Sequence, residues 1–238
     1  MKILTINSSE GSLGKNNGCE DGPQEILKLL GLNAEAIPID TADLEKTHES
    51  VQQATKNFTG IILGGDHSFT YSAVKQFMQD HPDGKLIVFD AHPDCVNNFY
   101  PPSHEDYLRV LLEERIILAE NVTLIGTRAI DETETAFLKV YHLHHYPMEL
   151  LDDSLTEHLM SIEHPYYLSI DIDVLDPAVA PGTGYPEEHG LSLQQLKSYL
   201  ELLPNPTILD LVEVNPHKDR ENKTSKAAAE LLKPFLKS

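Results

Sequence analysis

The sequence predicts an α/β protein of three layers, in which a mainly parallel central sheet lies between two layers of helices. Two observations favour this fold class. Short apolar runs typical of buried strands alternate along the chain with longer segments of helical apolar spacing. Metal-binding and catalytic residue types also follow several of those runs directly, as they do at the carboxyl ends of parallel strands. Because no linker, repeat or low-complexity tract interrupts the pattern, we expect residues 1–238 to form one domain.

The strands are predicted from apolar runs that turn-forming residues bound. The run at 60–63, for example, ends in two glycines, and the run at 85–89 ends in an aspartate and a proline-containing turn. The predicted strands are 2–6, 33–39, 60–63, 85–89, 122–125, 140–145, 166–172 and 207–211.

The helices are predicted between these runs. Pro23 fits the first turn of a helix, and Thr41 or Asp43 is a candidate N-cap for a second helix that ends near residue 56. Leu108 and Leu111 have the spacing of one helical face. The remaining predicted helices are 23–30, 71–79, 105–118, 132–139, 152–162, 193–202 and 223–236.

Composition argues against several classes of function. The chain has 18 Lys+Arg against 38 Asp+Glu, a formal net charge of −20, which repels phosphate backbones, so we expect no nucleic-acid partner. Two cysteines do not make a disulfide framework. Residues 1–6 are too short for a signal peptide, and no apolar run approaches the ~20 residues of a membrane span. We therefore predict a cytoplasmic protein with no membrane partner.

A first candidate site lies in the segment LSIDIDVLDPAVAPGTG, residues 168–184. Alternate residues of a strand point to the same side, so Asp171 and Asp173 are expected to reach one shared point. Two close carboxylates in an apolar setting repel each other and are costly to desolvate. A divalent cation would hold them. The alternative is a pair of surface aspartates at a strand end.

Two further strand ends carry residue types that bind metals. The turn GGDHS offers His67, with a helix-cap residue as the alternative. The segment DAHPD places Asp90, His92 and Asp94 at alternate positions, and Pro93 is expected to hold it extended so that all three face one site. Its alternative is an acidic turn.

Two imidazoles and four carboxylates thus collect at three strand ends. This donor set suits a borderline-hard divalent metal such as Mn²⁺. It is unlike a zinc site whose ligands include thiolates. Four negative charges are too many for one small cation, so the set predicts a two-metal site with bridging carboxylates. The predicted ligands are His67, Asp90, His92, Asp94, Asp171 and Asp173.

Three segments resemble the signature motifs of the ureohydrolase family, which comprises arginases, agmatinases and formimidoylglutamases. They are LGGDHS at 63–68, LIVFDAHPD at 86–94 and SIDIDVLDPAVAPGTG at 169–184. The resemblance extends to GCEDGP at 18–23 and LDLVEVNP at 209–216. It implies the three-layer fold, two Mn²⁺ per subunit, hydrolysis of a guanidinium or formimino C–N bond, and a homo-oligomer, either a trimer or a hexamer.

The same resemblance implies roles for individual residues. It places one metal on residues like His67, Asp94, Asp90 and Asp171, and the other on residues like His92, Asp173, Asp90 and Asp171, with Asp90 and Asp171 bridging. Asp94 resembles the carboxylate that passes a proton to the leaving amine. Glu213 resembles the carboxylate that grips the guanidinium, with a loop-capping acid as its alternative. His104 resembles a proton-shuttling loop histidine. Because Glu105 stands where members often have glycine, a lid role for His104 stays open.

The substrate is predicted from the residues expected around its distal end. Asp131 and Glu134 are candidates for binding an amine at that end. Few residues there have side chains that can bind a carboxylate. This favours agmatine, a small cationic guanidino substrate that would release urea. The alternatives are an arginase, a formimidoylglutamase or guanidino-acid hydrolase in which Arg109 or Arg128 binds a carboxylate, and a non-catalytic metal-binding relative.

Overall fold

A computed structural model describes residues 1–237, which form one eight-stranded sheet with helices on both faces. The strands are β1 (Lys2–Ile6), β2 (Glu35–Ala36), β3 (Gly60–Gly64), β4 (Lys85–Phe89), β5 (Val122–Ile125), β6 (His144–Tyr146), β7 (Tyr166–Asp171) and β8 (Ile208–Val212). Their order is β2-β1-β3-β8-β7-β4-β5-β6, and every neighbouring pair is parallel. The predicted parallel sheet is confirmed.

The helices divide into two layers. They are α1 (Gly22–Leu30), α2 (Leu44–Ala54), α3 (Thr70–Asp80), α4 (Tyr107–Glu113), α5 (Glu132–Tyr141), α6 (Asp153–Met160), α7 (Leu193–Leu200) and α8 (Lys223–Leu232). One apolar core joins α1, α6, α7 and α8 to one face of the sheet. A second core joins α2, α3, α4 and α5 to the other face. Alternate residues of each strand supply the two cores: Ile61 and Leu63 face one, and Ile62 faces the other. The three-layer prediction is therefore confirmed.

Three predicted elements differ most from the structure. The strand predicted at 33–39 is only the two-residue β2 at the sheet edge. The helix predicted at 105–118 is only α4, because Arg115 takes a left-handed conformation with φ of 56° soon after it ends. The strand predicted at 140–145 begins at His144, because Phe137 and Tyr141 stack one helical turn apart and extend α5.

The four central strands bring the predicted site residues together. In the order β3-β8-β7-β4, the carboxyl ends of these strands are neighbours at one edge of the sheet. Asp171 pairs in register with Val212, the last residue of β8, and Ile170 pairs with Phe89, the last residue of β4. Residues that follow the four strands therefore share one site. Within residues 1–237, no helix has both the length and the apolar character needed to cross a bilayer.

Candidate active site

His67 reaches the centre of the site through the turn that follows β3. A Cβ on Gly65 would lie 1.9 Å from the Ser8 carbonyl oxygen, so only glycine allows this close approach. Asp66 caps the next turn by accepting a hydrogen bond from Ser68 N at 3.0 Å. The buried His67 ring lies with Nε2 2.9 Å from Ser169 Oγ, which leaves Nδ1 for the cluster of acids.

Three carboxylates surround the Nδ1 atom of His67. It lies 3.1 Å from Asp90 Oδ2, 3.1 Å from Asp94 Oδ2 and 3.3 Å from Asp171 Oδ2. Among the described residues, neither His67 Nδ1 nor Asp90 Oδ2 has a hydrogen-bond partner, so these short contacts do not have hydrogen-bond geometry. Buried polar atoms are normally paired, so converging and unpaired atoms of this kind fit the ligands of a cation.

A second group of possible ligands adjoins the first. His92 Nδ1 lies 3.0 Å from Asp173 Oδ2 and 3.7 Å from Asp90 Oδ1. In each of the two groups, the ligand atoms lie within 4.8 Å of one another. The groups are His67, Asp90 and Asp171, and Asp90, His92 and Asp173. The structure thus brings all six predicted ligands together, with Asp94 joined through His67, and Asp90 belongs to both groups.

The route by which these side chains meet differs from the predicted one. Strand β7 ends at Asp171, and Ile172–Val174 forms a 3₁₀ turn in which Asp171 accepts a hydrogen bond from Asp173 N at 2.8 Å. Asp171 and Asp173 therefore belong to different groups, although both line one cavity, and they meet there through a turn and not along an extended strand. The segment after β4 is not extended throughout either, because Asp94 has a left-handed φ of 52°.

Burial and mutual repulsion perturb the protonation of the acids. Burial, and then the charge of Asp90, raises the pKa of Asp94 to about 8. Burial and neighbouring carboxylates raise the pKa of Asp171 well above its usual range. Burial acts the same way on Asp90, but contacts with His67 and His92 outweigh it and lower its pKa. Without a cation this cluster is costly, since charges of one sign lie close together away from water.

Glu213 follows β8 and projects beside His67. Its backbone is left-handed, with φ of 65°, and its N–H donates to Gly65 O at 2.7 Å. Its Oε1 accepts a hydrogen bond from His67 N at 2.8 Å and lies 3.1 Å from His104 Nδ1. Its Oε2 accepts one from Asn16 Nδ2 at 2.5 Å. Burial would lower the pKa of His104, but the Glu213 carboxylate outweighs burial and raises it to about 9.

A cavity of about 130 Å³ opens over these groups. Its lining consists of His67, His92, Asp94, Val96, His104, Glu105, Glu134, Asp171, Asp173, Tyr185 and Glu213. The Tyr185 ring stacks against the His104 ring, with centroids 6.1 Å apart. Of the two candidate amine binders, only Glu134 lines the cavity. Asp131 instead caps α5 from the surface, accepting a hydrogen bond from Glu134 N at 2.8 Å.

Both arginines considered for a substrate carboxylate are bound to the protein itself. Arg109 Nε donates to Glu113 Oε1 at 2.9 Å, and its Nη1 donates to Val96 O at 3.0 Å. Arg128 Nη2 donates to Asp173 O at 2.7 Å, and the rest of its guanidinium bonds to other backbone carbonyls. Neither residue lines the cavity.

Two polar residues that contact Glu213 or His104 were not predicted from sequence. Asn16 comes from the loop before α1 and contacts Glu213, and Tyr185 comes from the loop after β7 and covers His104. Neither has a spacing relation to the ligand motifs. The only signal was position: Tyr185 directly follows the GTG turn, and Asn16 lies just before the GCEDGP segment.

The fold and this cluster define the class of the protein, a parallel α/β protein with a candidate metal site at the carboxyl edge of its sheet. The chain belongs to the arginase family, because residues 8–237 match the family's sequence model. Members of this family hydrolyse guanidino or amidino groups.

Individual relatives carry different names. The chain is 33% identical to an arginase from Staphylococcus aureus, over 99% of this chain and 97% of the relative. It is 29% identical to an agmatinase from Bacillus anthracis, over 90% of this chain and 77% of the relative. A crystal structure of formimidoylglutamase from Bacillus subtilis matches with a TM-score of 0.89 and 26% identity, over 99% of this chain and 85% of the other. These likenesses establish the family and leave three substrates open.

Proposed function

We propose that this protein is a binuclear-manganese hydrolase that cleaves a guanidinium C–N bond and releases urea. The observation that carries the proposal is the pair of three-residue ligand groups that share Asp90. A donor set of carboxylates with two imidazoles suits Mn²⁺. The proposed ligands are His67, Asp90, His92, Asp94, Asp171 and Asp173. Two divalent ions held there would lower the pKa of a shared water until it can attack at neutral pH.

The remaining polar groups of the cavity fit the other needs of the reaction. A guanidinium presents two parallel N–H groups, and a carboxylate such as Glu213 accepts both. Asp94 lines the cavity and its Oδ2 lies 3.1 Å from His67 Nδ1, so this carboxylate would take a proton from the attacking water and pass it to the leaving amine. We assign proton transfer at the cavity to His104, whose Nδ1 lies 3.1 Å from Glu213 Oε1 and whose ring stacks against Tyr185.

The carboxylates that line the cavity support an amine-tailed substrate, and we propose agmatine. Glu105 and Glu134 both line the cavity, and Arg109 and Arg128 are bound to the protein itself. A cationic tail would therefore meet carboxylates.

A carboxylate-tailed substrate, such as a guanidino or formimino acid, is the second candidate, and one observation favours it. Lys15 Nζ lies 2.6 Å from Glu105 Oε1 and 5.5 Å from the centre of the Tyr185 ring, at the mouth of the cavity. The ammonium offsets one acid there and could bind an anion. The Lys15→Met variant separates the candidates: it should abolish activity only if a carboxylate tail is bound there.

The proposal is tested by metal analysis together with a substrate panel. We expect about two Mn²⁺ per chain, urea release from agmatine above that from arginine or guanidinobutyrate, little turnover of formiminoglutamate, and loss of activity with a chelator that Mn²⁺ reverses. Asp90→Asn should lose metal from both groups. Protein with both metals but no turnover of any of these substrates would instead indicate a non-catalytic relative. We also propose one domain and a homo-oligomer, trimeric or hexameric, in the cytoplasm.

A further inference from the structure

Asn16 is a fully buried polar residue in the loop between β1 and α1. Its exposed fraction is 0%, and the next residue, Asn17, is exposed. Asn16 does not line the cavity, so its side chain is not placed to touch a substrate. A buried amide at such a position requires partners for its N–H groups and its oxygen, because an unpaired one would cost free energy.

The partner of the Asn16 amide is Glu213, which it contacts twice. Its Nδ2 donates to Glu213 Oε2 at 2.5 Å and to Glu213 O at 3.2 Å. One NH₂ group therefore binds both the carboxylate and the main chain of the same residue. These two bonds fix the direction of the Glu213 side chain relative to its own backbone.

Glu213 needs such support because its backbone conformation is unfavourable. A non-glycine residue with φ of 65° lies in the left-handed region, which persists only where surrounding contacts determine it. Besides Asn16, the backbone is held by a bond from Glu213 N to Gly65 O at 2.7 Å. The carbonyl of Glu213 is held by Asn16.

The orientation of the Asn16 amide is itself determined. Asn215 Nδ2 donates to Asn16 Oδ1 at 2.6 Å and to Asn17 O at 2.9 Å. An amide oxygen that accepts from Asn215 turns the NH₂ end towards Glu213, and a carboxylate can only accept. Two residues beyond Glu213 in sequence, Asn215 thus anchors Asn16, which in turn anchors Glu213.

We propose that Asn16 is a positioning residue for Glu213. By holding Oε2 and the main-chain carbonyl, it fixes the orientation of a carboxylate that lines the cavity, whose Oε1 is held in turn by His67 N and lies 3.1 Å from His104 Nδ1. The inference rests on the proposed function, in which Glu213 binds the guanidinium. It adds a residue that acts on that group without touching the substrate.

The first test compares Asn16→Ala with the matched control Asn17→Ala, both loaded with Mn²⁺. Asn16→Ala removes hydrogen bonds to a charged group, so kcat/KM should fall about tenfold to a hundredfold. The inhibition constant of guanidinium chloride should rise, and the bound Mn²⁺ should stay the same. Asn17→Ala should change none of these. An unchanged kcat/KM in Asn16→Ala would overturn the inference. If that variant does not fold, Asn16→Ser, whose side chain is too short to reach both atoms, is measured against the same expectation.

The second test asks whether Asn16 acts through Glu213. In a Glu213→Ala background the anchored carboxylate is absent, so adding Asn16→Ala should change kcat/KM by less than about twofold. If the fold-losses in kcat/KM of the two single variants multiply in the double variant, Asn16 acts independently of Glu213 and the inference is wrong. Full activity of Glu213→Ala itself would instead refute the role of Glu213 in the proposed function. The two failures are therefore distinguishable.

Discussion

His104 and His48 are equally buried, with exposed fractions of 5% and 4%, but they lie in different regions of the molecule and differ in charge. His104 lies under the cavity against Glu213, which raises its pKa to about 9. His48 lies on α2 against α3, with Nδ1 2.8 Å from Ser72 Oγ. Burial, and then the charge of Lys75, lowers the pKa of His48 to about 4.

The comparison shows that burial alone does not decide the charge of a histidine. Burial disfavours the imidazolium at both positions, and only an ionised partner reverses the outcome. His48 is therefore a neutral part of the helix packing, with its ring 5.0 Å from that of Phe69. His104 belongs to a buried charged pair. Such a pair stabilises the fold little relative to apolar packing, so its presence at the cavity indicates function.

The largest expected effect follows from removing the charge that distinguishes the two regions. Glu213→Gln should lower kcat/KM by a factor corresponding to roughly 2–5 kcal/mol, about thirtyfold to several thousandfold, because a charged partner of the guanidinium is lost. The pKa of His104, measured by NMR in the metal-free protein, should fall towards that of His48. Metal content should not change. The exposed Glu188→Gln is the control, and normal kinetics in metal-replete Glu213→Gln would refute the assignment.

A smaller loss of turnover is expected from removing the charged histidine. His104→Ala should slow kcat by about a hundredfold if the imidazole carries protons, the lower end of the range for general acid–base groups. Added imidazole should restore part of the rate, since it can carry the same proton. A raised KM without rescue by imidazole would instead indicate that His104 only closes the cavity.

The neutral histidine, His48, is expected to affect how the free energy of unfolding depends on pH and to have no effect on catalysis. The folded pKa of His48, about 4, is below its unfolded value of about 6.5, so below pH 6.5 the unfolded chain binds the extra proton. Stability should therefore fall by about 2 kcal/mol from this group between pH 7 and pH 5. Denaturant titrations at several pH values should show that the free energy of unfolding of His48→Gln lacks this part of the fall between pH 7 and pH 5. The exposed His164→Gln should keep it, and a parallel slope in both variants would contradict the assignment.

The smallest effect is expected at the rim, where charges are solvated. Glu105→Gln should raise the KM for agmatine by roughly 1.5- to 5-fold, as for an exposed pair worth under about 1 kcal/mol, because Lys15 already neutralises part of this charge. The KM for an uncharged analogue, butylguanidine, should not change. Equal changes for both substrates would show that Glu105 shapes the cavity and does not bind the amine.

The sequence by itself determined the fold class and the segments that carry the candidate metal ligands. Apolar runs mark the strands, and His67, Asp90 and Asp171 lie within three residues of a strand end, so parallel pairing alone brings them to one edge. These are short-range features of the chain. At Asp94 and Asp173 the backbone is not extended as predicted, although the turns still bring both carboxylates to the cavity.

Only the tertiary structure decided which side chains are bound within the protein and which can take part in a reaction. Arg128 resembled a free cation in the sequence, but its hydrogen bonds run to backbone carbonyls up to 60 residues away. Asn16 meets Glu213 across 197 residues, and His48, which has no spacing signal, is buried because α2 packs on α3. Charge, burial and hydrogen-bond partners depend on contacts between distant segments, and such contacts leave no periodic pattern in the chain.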